Sequence, residues 1–174
     1  MKAKLRNSLL ELLEQKSFAN ITIDNIVDRA HVGKGSFYRY FKNKNDLLLF
    51  AFKLFHIEYI GELKKQKNKL DKPFQRLLKS FELYFDFCLS QKSIQRLFLT
   101  IQSEPELINN QFRYRHIFTN MIEDVLIKIK IKDSIAQAQS ILILSMLHQI
   151  SFHEAQHGKS PAMRIAFRSM LQKL

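Results

Sequence analysis

The chain has 174 residues, 46% of them hydrophobic, with 28 Lys and Arg against 16 Asp and Glu for a formal net charge of +12. That is enough for one domain or a small domain fused to a larger one, with ample apolar content for a packed core, and the charge favours a polyanionic partner, nucleic acid or an anionic membrane surface. The single cysteine, Cys88, excludes an intrachain disulfide and fits a reducing cytosol; between Phe87 and Leu89 it reads as a buried, inert thiol.

The first segment, MKAKLRNSLLELLEQ, is charged throughout and lacks the apolar core of a leader peptide. The longest apolar stretch, around 141–147, is too short to span a bilayer, so a cytoplasmic protein with no membrane partner is expected. Residues 2–16 form a first helix with Leu5, Leu9, Leu12 and Leu13 as its buried stripe and Lys2, Lys4 and Arg6 at its free end. Phe18 and Ile21 are expected core residues of the following loop.

Residues 22–44, TIDNIVDRAHVGKGSFYRYFKNK, read as two short helices over a tight turn. Thr22 is an N-cap, and Ile23, Ile26, Val27 and Ala30 recur at helical spacing. His31, Val32 and Gly33 break the pattern, with Gly33 expected to permit the turn. A second helix starts near Lys34, with Phe37 and Phe41 buried four apart. Lys34, Ser36, Tyr38, Arg39 and Tyr40 remain on its surface. Two helices at a steep angle over a short turn make a helix-turn-helix, whose second helix enters the major groove. Lysine and arginine can donate to phosphates or to guanine O6 and N7, and hydroxyls can bond phosphate oxygens. Gly35 would let the backbone approach a sugar or a thymine methyl. Solvated charges on an ordinary helix would explain any one of these residues, but less well a whole face of aromatic and basic groups.

This stretch resembles the DNA-binding domain of TetR-family (tetracycline-repressor type) transcriptional regulators. Thr22, Ile26, Val32, Gly35, Ser36, Phe37, Tyr38, Tyr40, Phe41, Asn43, Lys44 and Leu47 fall in the register of that family's signature. There are two departures: His31 stands at the usual glycine, in a conformation that would strain it, and Gly33 at the usual serine or threonine cap. The resemblance implies DNA contacts by Thr22, Lys34, Gly35, Ser36, Tyr38, Arg39, Tyr40 and Lys44, with Thr22 and Lys44 on phosphates. It also places the free end of the first helix near the phosphate backbone, where an ordinary solvated terminus is an equal reading.

Asn43 can cap the next helix, over 44–69, with Asp46 in its first turn. That helix is apolar over most of its circumference, Gly61 could mark a bend, and Lys64, Lys65, Lys67, Lys69 and Lys72 read as a solvated tip. Pro73, Pro105 and Pro161 each fall where a helix begins, Ser103 to Glu106 with capping-box spacing. Helices are expected at about 73–90, 92–102, 105–131, 133–157 and 160–173. The alternation LIKIKIK at 126–132 could suggest a strand, but it ends a strongly helical pattern and is read as helix. The expected fold is therefore all-α, about nine helices: a three-helix DNA-binding domain over 1–44, then a helical effector-binding and dimerisation bundle over 45–174.

The second part is rich in aromatics. Most are packing residues, yet Phe55, Tyr59, Phe81, Tyr84, Phe85, Phe98, Phe112 and Phe118 are candidates to line a site for an apolar or aromatic effector. The last two helices are apolar enough for self-association, and the resemblance makes them a homodimer interface, so that two units read a palindromic operator. His148, His153 and His157 lack a further ligand of matching placement for zinc, so no metal or cofactor is expected. No nucleophile–base pair or phosphate-cradling glycine loop appears, and no catalysis is expected. A ligand-released dimeric repressor is the leading reading. A constitutive or architectural DNA binder without a small-molecule switch is the alternative, followed by a non-DNA helical adaptor or membrane-surface protein.

Overall fold

The computed structural model describes the backbone of residues 1–65, 72–90, 92–103 and 105–173, with side chains described except at 92, 94, 95, 102–115 and 117. The helices are α1 (Lys2–Gln15), α2 (Ile23–Ala30), α3 (Lys34–Tyr38), α4 (Lys44–Lys65), α5 (Pro73–Ser90), α6 (Lys92–Ser103), α7 (Pro105–Lys128), α8 (Asp133–His157) and α9 (Pro161–Leu171), with a 3-10 turn at Phe18–Asn20. No strand occurs among the described residues. The fold is all-α, as the spacing of apolar residues and caps predicts.

Two compact units form, one from Met1–Glu58 with Lys92–Phe112 and the other from Tyr59–Gln91 with Arg113–Leu174. The first joins α6 to the N-terminal helices. Leu5, Leu9 and Leu13 of α1 are buried with Ile26 and Val27 of α2, Phe37, Leu47 and Leu48, and Leu97 and Ile101 of α6. Arg96 of α6 donates from Nη1 to the Leu13 carbonyl at 2.8 Å, closing the exposed end of α1. In the second unit α5 packs on α8 and α8 on α9, around Leu77, Phe81, Tyr84, Phe85, Leu144, Leu147 and Phe167.

The helix boundaries follow local chemistry. Asn43 Oδ1 accepts from Asp46 N at 2.9 Å, and Asp46 Oδ2 accepts from Lys42 N at 3.0 Å, which starts α4 as expected. α4 continues through Gly61 to Lys65. LIKIKIK is helical only as far as Lys128. Lys130 then takes a left-handed conformation (φ 74°), and Ile131 N donates to Leu126 O at 3.1 Å. This is a Schellman ending, which needs a left-handed residue whatever the alternation suggests.

The same ending closes α2, and it corrects the expected turn. His31, not Gly33, carries the left-handed conformation, at φ 52° and ψ 51°. Val32 N donates to Val27 O at 3.0 Å and His31 N to Asp28 O at 3.1 Å. Gly33 lies at φ −73° and ψ 150°, an extended conformation open to any residue, and it supplies no side-chain cap to α3. Left-handed backbone costs a residue with a Cβ about 1 kcal/mol. His31→Gly is therefore expected to stabilise the protein by up to about 1 kcal/mol, raising Tm by about 2–4 °C. A lower Tm in thermal unfolding would mean that the His31 side chain makes a compensating contribution.

A candidate DNA-reading face and an aromatic interior

Three elements position the candidate DNA-reading face. Thr22 caps α2 through a reciprocal box: its Oγ1 accepts from Asn25 N at 3.1 Å, and Asn25 Oδ1 accepts from Thr22 N at 3.2 Å. Thr22 stays exposed, and its hydroxyl retains a proton to donate. The Schellman turn then redirects the chain into α3, a single short helix. It is anchored by Phe37, fully buried and 5.8 Å from the Phe41 ring. With Phe37 turned inward, the helix must present its other residues outward.

Those residues are the ones the sequence nominated. Tyr38 is 53% exposed and Tyr40 38%, and Arg39 is exposed beside them. Ser36 is half-buried. A Cβ added at Gly35 would meet nothing within 4 Å, so the backbone there is open to close approach. Lys34 pairs with Asp24 at 2.7 Å, with both side chains more than half exposed. The hydrogen bond to Asp24 holds the Lys34 ammonium above its usual range. An exposed pair of this kind exchanges readily for a phosphate. The start of α1 comes alongside, with Lys2 Nζ 5.9 Å from the Tyr40 ring and 5.7 Å from that of Phe50. Arg6 points elsewhere, pairing with Glu58 at 3.1 Å.

The Lys44 ammonium, a phosphate contact by the resemblance, is engaged within the fold. It donates to Phe18 O at 2.9 Å, Ala19 O at 3.3 Å and Ile21 O at 3.0 Å, and lies 4.6 Å from the Phe18 ring centroid. All three protons of the ammonium are thus directed at the carbonyls of the 3-10 turn that leads into Thr22. Lys44 is a clamp on the helix-turn-helix. Lys44→Met is expected to cost about 2 kcal/mol through the loss of charge-assisted hydrogen bonds, read as a Tm lower by about 4–8 °C. An unchanged Tm with a shallower salt dependence of DNA binding would return Lys44 to a phosphate.

The candidate ligand residues form aromatic groups within each unit. In the first unit Phe55 and Phe98 meet edge-on at 5.3 Å, joined by Phe52 and His56. In the second, Tyr59 lies 5.1 Å from Tyr84 and 5.7 Å from Phe118, with Phe87 and His148 on the same group. Phe81 and Phe85 pack instead on Phe167 of α9. The side chain of Phe112 lies outside the described residues. Burial raises the Tyr59 and Tyr84 phenols above their usual range, and Tyr59 Oη donates to Ser80 O at 2.9 Å. The same cause pushes the Cys88 thiol up to about 12, an inert thiol as expected. A cleft of about 670 Å³ opens elsewhere, on the first unit between α1 and α2; Glu11, Gln15, Lys16, Asn25, Asp28 and Arg29 make its wall polar.

Two further features mark the second unit. Arg164 of α9 is buried, and Glu154 of α8 has no exposed surface. Their side chains pair at 2.6 Å, while Arg164 also reaches Asp86 at 2.7 Å and Glu82 at 3.3 Å on α5. Burial works against the Arg164 charge, yet its hydrogen bonds to Glu154 and Asp86 hold the guanidinium above its usual range. Burial would likewise raise the Asp86 carboxyl, but Arg164 holds it below. The second feature is α8 itself. The 141–147 stretch belongs to a 25-residue helix, long and apolar enough to cross a membrane by length and composition. In the fold its inner face packs on α5 and α9 around the Glu154–Arg164 pair. The His153 and His157 rings lie 4.7 Å apart and tilted, and no group of three or more potential metal ligands forms among the described residues.

The geometry is that of a helix-turn-helix protein built entirely from helices, the form of a DNA-binding regulator. Residues 7–50 match the family model of bacterial regulatory proteins, tetR family. The transposon Tn10 TetC protein of Escherichia coli is 27% identical over 161 residues, covering 90% of this chain and 79% of that protein. A transcriptional regulator of the TerR/AcrR family from Aquifex aeolicus VF5 superposes with a TM-score of 0.74 at 24% identity, over 98% of this chain and 97% of that one. FadR of Bacillus subtilis, solved in complex with stearoyl-CoA, superposes with a TM-score of 0.80 at 18% identity, over 99% and 96%. Residues 7–50 thus carry the helix-turn-helix domain of the tetR family of bacterial regulatory proteins, and the described residues share the all-helical fold of these solved regulators.

Proposed function

We propose that the protein is a dimeric repressor that holds a palindromic operator and leaves it when a small apolar or aromatic ligand binds. The observation that carries this reading is the single outward face of Tyr38, Arg39 and Tyr40 beside the open Gly35, held by Phe37, Lys44 and the Thr22 cap. Residues 1–44 read DNA, and 45–174 bind the effector and dimerise. Lys34, Ser36 and Arg39 supply donors for bases and phosphates, Tyr38 and Tyr40 pack and donate at the backbone, and Thr22 donates to a phosphate. Lys44 acts as a positioning residue. Such a protein works in the cytoplasm, where its operator lies.

One short recognition helix offers little contact area, so two copies one helical turn of DNA apart supply the affinity. Ile135, Ile141 and Leu142 of α8 are 48%, 44% and 62% exposed, and Ile165 and Met170 of α9 are 64% and 37%. These outward side chains favour a homodimer through the last two helices. The aromatic groups of both units favour an apolar effector, a chemistry that the stearoyl-CoA complex of B. subtilis FadR shares. The effector must bind the released state more tightly than the DNA-bound state, displacing α4 and with it the spacing of the two reading heads. Leu142→Glu with Ile165→Glu is expected to give a helical monomer in sedimentation, with operator affinity lower on the order of 100-fold. A variant that remains dimeric and bound would overturn the interface.

A further inference from the structure

One end of the second unit collects positive charge that the reading head does not use. Tyr59 Oη of α4 meets Ser80 O of α5, and from these positions Lys65 and Pro73 lie roughly 9 and 10 Å along their helices. The end of α4 is therefore level with the start of α5. Tyr84 meets His148, and Cys88 lies beside Ser151, so α5 and α8 run parallel and α8 begins at that same end. The turn from α7 into α8 closes it, with Lys130 in the left-handed position. Lys64, Lys72, Arg76, Lys128, Lys130 and Lys132 are all exposed there. Among the described residues none of the six is in an ion pair; Lys65 beside them is paired with Glu62. Among the described residues the exposed carboxylates of this end are Asp124 and Asp133.

We propose that this end of the second unit is a second, sequence-independent binding surface for the phosphate backbone of double-stranded DNA. Its cations are nearly all lysines, point charges that neutralise phosphates without reading bases. Phosphate is also the charged group of anionic lipids. Binding to a bilayer would need a buried apolar face as well, and the large apolar side chains exposed at this end are Ile127 and Ile135, at 39% and 48%. Duplex DNA is the polyanion that the first unit already brings to the protein. The surface would add affinity for flanking DNA or a neighbouring duplex without changing which sequence is preferred.

The test uses the full chain and a short duplex of random sequence, titrated over about 50–200 mM salt. Replacing the six residues together by Gln removes exposed charges and should leave the circular dichroism and Tm unchanged. The slope of log K against log salt is expected to fall by about 3–5, corresponding to four or five phosphates, with weaker binding at low salt. The variant should keep the wild-type ratio of operator to random-sequence affinity, and Arg39→Ala should lose that ratio while retaining most of the slope. A slope unchanged to within about one by the six substitutions would overturn the proposal. So would their abolishing binding to phosphatidylglycerol vesicles while leaving the DNA slope intact. Failure of the operator ratio in the wild type would count against the repressor reading instead.

Discussion

Arg164→Met is expected to destabilise the protein by about 3–5 kcal/mol, the largest effect of any single substitution considered, because it leaves a buried carboxylate without its cation. Glu154 has no exposed surface. Its Oε2 accepts from Arg164 Nη2 at 2.6 Å, and its Oε1 accepts from Arg164 Nε at 2.7 Å and from Ser160 N at 3.0 Å. The guanidinium also lies 4.9 Å from the Phe85 ring, so one residue ties α9 to both α8 and α5. Removing it exposes no new water to Glu154, which must take up a proton or draw the helices apart. Urea unfolding should show the loss directly, and Tm should fall by on the order of 10 °C. Glu154→Leu combined with Arg164→Met should recover much of it, since two well-packed apolar groups can replace a buried pair at little cost. A single variant within 1 kcal/mol of wild type would show that the pair is solvated in the working protein.

His56 is expected to make stability fall with acidification between about pH 6.5 and pH 4. The imidazole is 4% exposed on α4 among Phe52, Phe55 and Phe98, and its Nδ1 faces Phe52 O at 2.8 Å. Burial lowers its pKa from 6.5 to about 4. Above pH 6.5 the ring is neutral in both the folded and the unfolded chain and costs nothing. As the pH falls below that value, only the unfolded chain gains the proton, so unfolding is favoured. The contribution reaches about 2 kcal/mol by pH 5 and about 3 kcal/mol below pH 4. His56→Leu should lower stability at neutral pH by the lost hydrogen bond, yet lose about 2 kcal/mol less than wild type between pH 7.5 and 5. Parallel losses in the two proteins would show that the ring is protonated inside the fold.

The helix boundaries were legible wherever a single residue sets them. Thr22 and Asn43 cap α2 and α4, and Pro73, Pro105 and Pro161 open α5, α7 and α9. The turn of the helix-turn-helix was located, with Gly33 credited from composition and His31 placed by the motif register at the usual glycine. The bonds from Val32 and His31 back into α2 decide for His31 as the left-handed residue. Partners far apart in sequence were not legible. Lys44 reaches carbonyls at Phe18, Ala19 and Ile21, and Arg6 reaches Glu58. On their own helices both residues look like solvated cations. Glu154 and Arg164 looked alike for the same reason, because what buries them is α5, from a distant part of the chain. The aromatic richness was plain from composition, but that Phe55 meets Phe98, Tyr59 meets Tyr84 and Phe118, and Phe81 and Phe85 meet Phe167 depends on packing that no single helix encodes.

Sequence-specific reading by the face of Tyr38, Arg39 and Tyr40 is the central claim. Binding of the purified protein to its own upstream intergenic DNA, against scrambled DNA of the same length over a salt series, tests it most directly. A preference of at least about 1000-fold that survives near physiological salt is expected, and Arg39→Ala should reduce it. Equal binding to both duplexes, disappearing as salt is raised, would contradict it and leave only the electrostatic attraction of a basic protein for DNA.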